Sequence, residues 1–169
     1  MHEKSTALII EILKSRSQTV ATAESCTGGL VAHYLTNISG ASSVFRQGLI
    51  TYTNASKMEL LDLPGKILEK YGAVSQEVAT LMAEGVRKKS GTSFGLATTG
   101  IAGPNGGSED TPVGTLYLAI AEEGKETLIW KEYFPNEERL NFKEKAAEAI
   151  LKRLSVILTH RSSNNLSNN

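Results

Sequence analysis

Ser93–Thr99 reads as a strand that needs cover on both faces. Phe94, Leu96 and Ala97 make it a mostly small, apolar run, the composition of a strand buried between helical layers. The flanking segments supply those layers. Residues 5–16 carry Leu8, Ile9, Ile10, Ile12 and Leu13 on one helical face. Ser75 starts a helix that runs to about Lys89. From about Glu137 to His160, Phe142, Ala146, Ile150, Leu154 and Ile157 recur at spacings of three and four. Further strands read at Gln18–Ala23 and Val44–Tyr52, and Thr115–Ala121 with Glu126–Phe134 form an antiparallel hairpin across Glu122–Lys125. Shorter helices read at Gly28–Asn37, at Ala55–Leu61 behind an Asn54 N-cap, and from Pro64-Gly65 to near Tyr71-Gly72. The alternation predicts an α/β fold, a three-layer α/β/α domain with a mixed, mostly parallel sheet and a C-terminal packing helix. No internal repeat interrupts it.

Length and charge narrow the function. At 169 residues with 40% hydrophobic content, one domain over 1–160 is expected, with the Ser/Asn-rich stretch 161–169 a disordered tail. Eighteen basic and eighteen acidic residues cancel, and no basic stripe is interleaved with aromatics, which argues against nucleic acid as a partner. Cys26 is the only cysteine, and His2, His33 and His160 are too scattered for a metal cluster, so neither metal nor other cofactor is expected. The N-terminus lacks a leader pattern and no stretch is long enough to cross a bilayer. A reducing cytoplasm, with no membrane partner, is the matching expectation.

Chemistry gathers at strand ends. Ala21–Leu30, Ala-Thr-Ala-Glu-Ser-Cys-Thr-Gly-Gly-Leu, places Ser25 on a strand-to-helix turn, beside helix-start N–H groups able to stabilise an anion or oxyanion. Ser25 or Thr27 acting only as a helix cap accounts equally for that window. The histidines are badly placed to serve as base for Ser25, which leaves lysine. Lys57 falls in the first turn of its helix, where the dipole disfavours a protonated amine, and it can act as a base only if burial or neighbouring charge lowers its pKa. A solvated surface lysine is the ordinary alternative. For Tyr52 the alternative is core packing, for Cys26 a small buried thiol, and for Glu24, a candidate base, a helix-start acid. The stretch Gly100–Gly114 holds five of fifteen glycines and two of four prolines, a loop long enough to argue for a role beyond connection. No Walker loop or dinucleotide-binding glycine signature is present.

Together these motifs resemble a known family. Thr22-Ala-Glu-Ser-Cys-Thr-Gly-Gly29, Phe45-x-x-Gly48-x-Ile50-x-Tyr52-x-Asn54-x-x-Lys57, Gly72-Ala-Val-Ser75, Gly100-Ile-Ala-Gly-Pro-x-Gly-Gly107 and Pro112-Val-Gly114 are similar to the carboxy-terminal CinA domain, over about residues 5–158. Its enzyme members are nicotinamide-nucleotide amidohydrolases. The resemblance implies a small-molecule nucleotide substrate: hydrolysis of the carboxamide of nicotinamide mononucleotide to nicotinate mononucleotide and ammonia, in pyridine nucleotide salvage, by a serine–lysine mechanism without metal. It carries the nucleophile to Ser25, the base to Lys57, and a supporting hydrogen-bond or proton-transfer role to Tyr52. Thr27, Gly28 and Gly29 on the first turn, and Thr99, Gly100, Gly103, Gly106, Gly107 and Ser108 on the glycine-rich loop, are expected against substrate, the loop's N–H groups forming part of an anion site. Thr111 stands where many members have lysine, and Asn136 with Lys143 replaces a Gly and an Arg. Arg139 is a partial substitute for that lost positive charge. The rival reading is a non-catalytic nucleotide-binding or interaction module of the same family. A homodimer is expected from the prevalence of symmetric pairs and from the resemblance.

Overall fold

The computed structural model describes residues 2–166, with side chains from 3 to 160. Six α-helices and five strands alternate: α1 (His2–Ser15), β1 (Val20–Glu24), α2 (Leu30–Thr36), β2 (Phe45–Ile50), α3 (Asn54–Leu61), α4 (Gly65–Tyr71), α5 (Gln76–Ser90), β3 (Phe94–Gly100), β4 (Thr115–Glu122), β5 (Leu128–Tyr133) and α6 (Arg139–Leu166). The strands form one sheet in the order β2-β1-β3-β4-β5. β1 is parallel to β2 and β3, while β4 is antiparallel to both β3 and β5, so β4 alone opposes the other four. The sheet is therefore mixed and mostly parallel.

Alternation along each strand sends two kinds of side chain to the two faces. Val20, Phe94, Leu96, Leu116, Leu118 and Ile120 pack under α1, α2 and α6, against Ile9, Leu13, Val31, Leu35, Phe142, Ile150 and Leu154. The other face is lined by Ala21, Ala23, Ala97, Ala119 and Ala121, which meet Val78, Ala79, Met82, Ala83 and Val86 of α5. Small residues on that face let α5 lie close. At Gly95 the approach is extreme: a Cβ there would stand 2.1 Å from the Ala83 carbonyl oxygen.

Local signals explain most element ends. The Ser75 side chain accepts the Val78 N–H and caps α5, and Gly91 closes that helix in the left-handed region, as expected of Ser and Gly at those places. The N-cap of α3 is Thr53, not Asn54. Thr53 accepts the Ser56 N–H while the Ser56 hydroxyl accepts the Thr53 N–H, and this reciprocal pair moves the helix start one residue upstream. The last helix also runs past its expected end near His160: its backbone is helical through Leu166, since extending an established helix is far cheaper than nucleating one. The rest of the expected tail, 167–169, lies outside the described residues.

Candidate active site

β1 delivers Ser25 to the carboxyl edge of the sheet. The last β1 residue, Glu24, turns its side chain to the α2 face, and Ser25 follows on the opposite side, the side of α3. Its main chain is held across both neighbouring strands: Ser25 N–H donates to the Thr98 carbonyl (2.9 Å) and Thr51 N–H donates to the Glu24 carbonyl (2.8 Å). α3 brings in Lys57 from the other side. The lysine is 1% exposed, and its Nζ lies 3.1 Å from Ser25 Oγ and 2.8 Å from the Thr51 carbonyl oxygen.

Burial pushes the Lys57 pKa down to about 8, because an ammonium so placed loses its water and no carboxylate replaces it. The first turn of α3 adds a field of the same sign. Protonated, Lys57 donates to both Ser25 Oγ and the Thr51 carbonyl; once deprotonated, it can keep the Thr51 contact and offer its lone pair to the Ser25 hydroxyl. The surface-lysine alternative is thereby excluded. Cys26 is inert by the same physics: burial raises its thiol to about 12, so no thiolate forms near neutrality.

Glu24 is committed elsewhere. Its carboxylate, 1% exposed, accepts from Thr27 Oγ1 (2.6 Å), Ala32 N–H (2.8 Å), Gly29 N–H (2.9 Å), Val31 N–H (3.0 Å) and Thr22 Oγ1 (3.3 Å). This corrects the expectation of open N–H groups at the start of α2, because Glu24 already occupies them. It also removes Glu24 as a candidate base, since every neighbour of its oxygens is a donor. Gly28 N–H is used by the Ser25 carbonyl, which leaves the N–H groups of Cys26 and Thr27 as turn donors without a backbone acceptor among the described residues.

The expected binding residues divide. The Thr27 hydroxyl is fully buried between Glu24 and Thr98 Oγ1 (2.7 Å), so only its main chain can meet a ligand. Gly28 is exposed at φ 61°, and Lys143 Nζ hangs over it, 3.6 Å from where a Cβ would stand. Gly29 gives its N–H to Glu24. The Thr99 hydroxyl donates to the Ala73 carbonyl (2.7 Å). Gly100 and Gly107 leave room for the Thr115 carbonyl and the Val113 N–H respectively, and Gly103, at φ 71°, leaves room for the Val113 side chain. Gly106, at φ 95°, is exposed on the loop. Ser108 closes a turn with Thr111, each accepting the other's N–H, Ser108 through its hydroxyl. The Tyr52 hydroxyl accepts from Arg139 (2.6 Å), and the same guanidinium donates to the Gly103 carbonyl (2.7 Å). Tyr52 is 55% exposed, not a core aromatic, and no hydrogen bond joins it to Ser25 or Lys57 among the described residues.

Sequence reasoning missed two residues. Thr98 holds the turn through both its carbonyl and its hydroxyl. Thr51 orients Lys57 through its carbonyl, while its fully buried hydroxyl has no partner among the described residues. Thr98 acts through partners distant in the chain, and Thr51 acts on nearby Lys57 through a main-chain carbonyl that no side-chain pattern marks. His33 is exposed and contacts Asn37 (3.1 Å), in keeping with its exclusion as the base. No group of metal-binding side chains occurs among the described residues.

Fold and site together define an α/β protein with a buried serine–lysine pair at the carboxyl edge of its sheet. Residues 2–158 match the family model of the CinA C-terminal domain. A CinA-like protein of Syntrophus aciditrophicus is 47% identical over 150 residues, covering 89% of this chain and 36% of the relative. A putative competence-damage inducible protein of Clostridium botulinum (strain Langeland) is 54% identical over 118 residues, 70% of this chain and 29% of the relative. The chain thus spans about a third of the length of these curated relatives. Among solved structures, the competence/damage inducible protein CihA from Agrobacterium tumefaciens superposes with a TM-score of 0.90 at 37% identity, covering 94% of this chain and 95% of that one. The chain belongs to the CinA C-terminal domain family.

Proposed function

We propose that this chain hydrolyses the carboxamide of nicotinamide mononucleotide to nicotinate mononucleotide and ammonia, serving pyridine nucleotide salvage, with Ser25 as nucleophile and Lys57 as base. The observation that carries the reading is the 3.1 Å approach of a buried, depressed-pKa amine to a serine hydroxyl on a strand-to-helix turn. Membership of a family whose enzyme members deamidate this nucleotide supports the substrate. So do the two cations near the turn and loop, Lys143 over Gly28 and Arg139 at Gly103, which suit a phosphate-bearing ligand.

In the reaction, Ser25 Oγ attacks the amide carbon and its proton passes to Lys57 Nζ. The N–H groups of Cys26 and Thr27, turn donors without a backbone acceptor among the described residues, are the ones assigned to the developing oxyanion. Collapse breaks the C–N bond, and Lys57 returns its proton to the departing nitrogen, which leaves as ammonia. Water then attacks the ester on Ser25, giving its proton to Lys57, and the carboxylate leaves as Ser25 regains its hydrogen. Purified protein should release ammonia and nicotinate mononucleotide in equal amounts. Saturable binding of nicotinamide mononucleotide without ammonia would instead identify a binding module.

A further inference from the structure

Glu24 holds the nucleophile without touching it. An ionised carboxylate only accepts, and all five of its partners donate: two threonine hydroxyls and three N–H groups at the start of α2. The Thr27 hydroxyl has one proton, and at 2.6 Å it goes to Glu24. The 2.7 Å contact between Thr27 and Thr98 is then donated by Thr98, which fixes the direction of the whole chain from Thr98 through Thr27 to the carboxylate. Thr98 also takes the Ser25 N–H through its carbonyl. The turn is therefore pinned at residues 25, 27 and 29, on both sides of the N–H groups of Cys26 and Thr27.

We propose that Glu24 is a positioning residue: its carboxylate sets the placement of Ser25 Oγ against Lys57 and the aim of the Cys26 and Thr27 N–H donors. The proposal rests on the serine–lysine reading but not on the identity of the amide substrate. Neutralising the carboxylate as Glu24→Gln gives one acceptor oxygen in place of two. Whichever way the amide is turned, its NH2 faces an N–H, that of Ala32 on one side or those of Gly29 and Val31 on the other. A shift of the turn by about 1 Å is enough to cost one to two orders of magnitude in rate.

The test is the rate at which a fluorophosphonate labels Ser25, where Oγ bonds to phosphorus, fluoride leaves and the proton passes to Lys57. Labelling is mapped by mass spectrometry and compared with the thermal midpoint of each variant. Glu24→Gln is expected to label at least about tenfold more slowly at a temperature where it is fully folded. Thr27→Val, which deletes only the bridging hydroxyl and keeps the side-chain shape, should slow labelling in the same direction and decides the matter if Glu24→Gln does not fold. A lowered thermal midpoint with labelling unchanged per folded molecule would overturn the proposal, because Glu24 would then be a helix cap only. Absence of labelling in the wild type would overturn it together with the serine–lysine reading. Wild-type labelling without ammonia release from nicotinamide mononucleotide would remove the substrate alone, leaving Glu24 to be judged by the variants.

Discussion

Lys57 is where folding and chemistry conflict. Its pKa of about 8 lies below the ordinary 10.5, so between those values the unfolded chain holds a proton that the folded chain does not. The lysine therefore destabilises the fold in full below pH 8, and the penalty lifts as pH rises towards 10.5, by about 1.4 kcal/mol for each pH unit crossed between the two values. Lys57→Met carries no such pH-dependent penalty. Its stability relative to wild type, measured by urea denaturation, should fall as pH is raised from 7 to 10, whatever fixed offset the lost hydrogen bonds impose. A difference independent of pH would mean that the lysine is not buried as a neutral amine. In catalysis, Ser25→Ala and Lys57→Met should each lower turnover by at least about a hundredfold, and the double variant little further, because the two groups act as a unit. Lys57→Arg should not restore activity, since arginine stays protonated. A double variant whose loss equals the product of the single losses would contradict that coupling.

Two elements set the frame around the pair. α5 lies close on the alanine face, and Gly95→Ala would drive a Cβ into the Ala83 carbonyl at 2.1 Å. We expect a loss of about 2–3 kcal/mol, read as a lower urea midpoint, because a backbone contact cannot yield as a flexible side chain does. The glycine-rich loop between β3 and β4 is tied down from outside by Arg139, which reaches Gly103 and Tyr52 together. Arg139→Ala should therefore speed amide exchange in residues 101–108 while exchange in β1 and β3 stays as slow as before. Unchanged loop exchange would show that the loop's own packing, Val113 against Gly103 and Gly107, is sufficient. How much of this was legible follows from how local each signal is. The Ser75 helix start and the terminal hairpin are written in adjacent residues and read correctly. The α3 cap lay between two capping residues, Thr53 and Asn54, and only the reciprocal bond to Ser56 chooses between them. The Arg139 tie joins residues 87 apart and has no periodicity or spacing to betray it.

Across the whole molecule, one sheet separates two cores of different grain, bulky beneath α1, α2 and α6 and small beneath α5. β1 and β3 contribute to both, so the cores should melt in one transition, with calorimetric and van't Hoff enthalpies equal. Two separated transitions would show that one layer unfolds alone. The carboxyl ends of these central strands are also where Ser25 and Thr98 meet, which ties the site to the most protected part of the fold. The alternation of strands and helices already placed Ser25 and Lys57 at strand ends of one sheet, and the family resemblance supplied their roles as nucleophile and base. That Lys57 is buried depends on tertiary contacts that no window of the chain displays, whereas the partners of Glu24 all lie within residues 22–32, in line with its reading as a helix-start acid. The pH dependence of nicotinamide mononucleotide deamidation in wild type and Lys57→Met tests the central claim, that a neutral buried lysine activates Ser25, most directly. Wild-type kcat/KM should rise with pH to a plateau through about 8, as Lys57 loses its proton, and that limb should vanish in a folded Lys57→Met of at least about a hundredfold lower activity. Near-normal turnover in Lys57→Met with the same rising limb would contradict it.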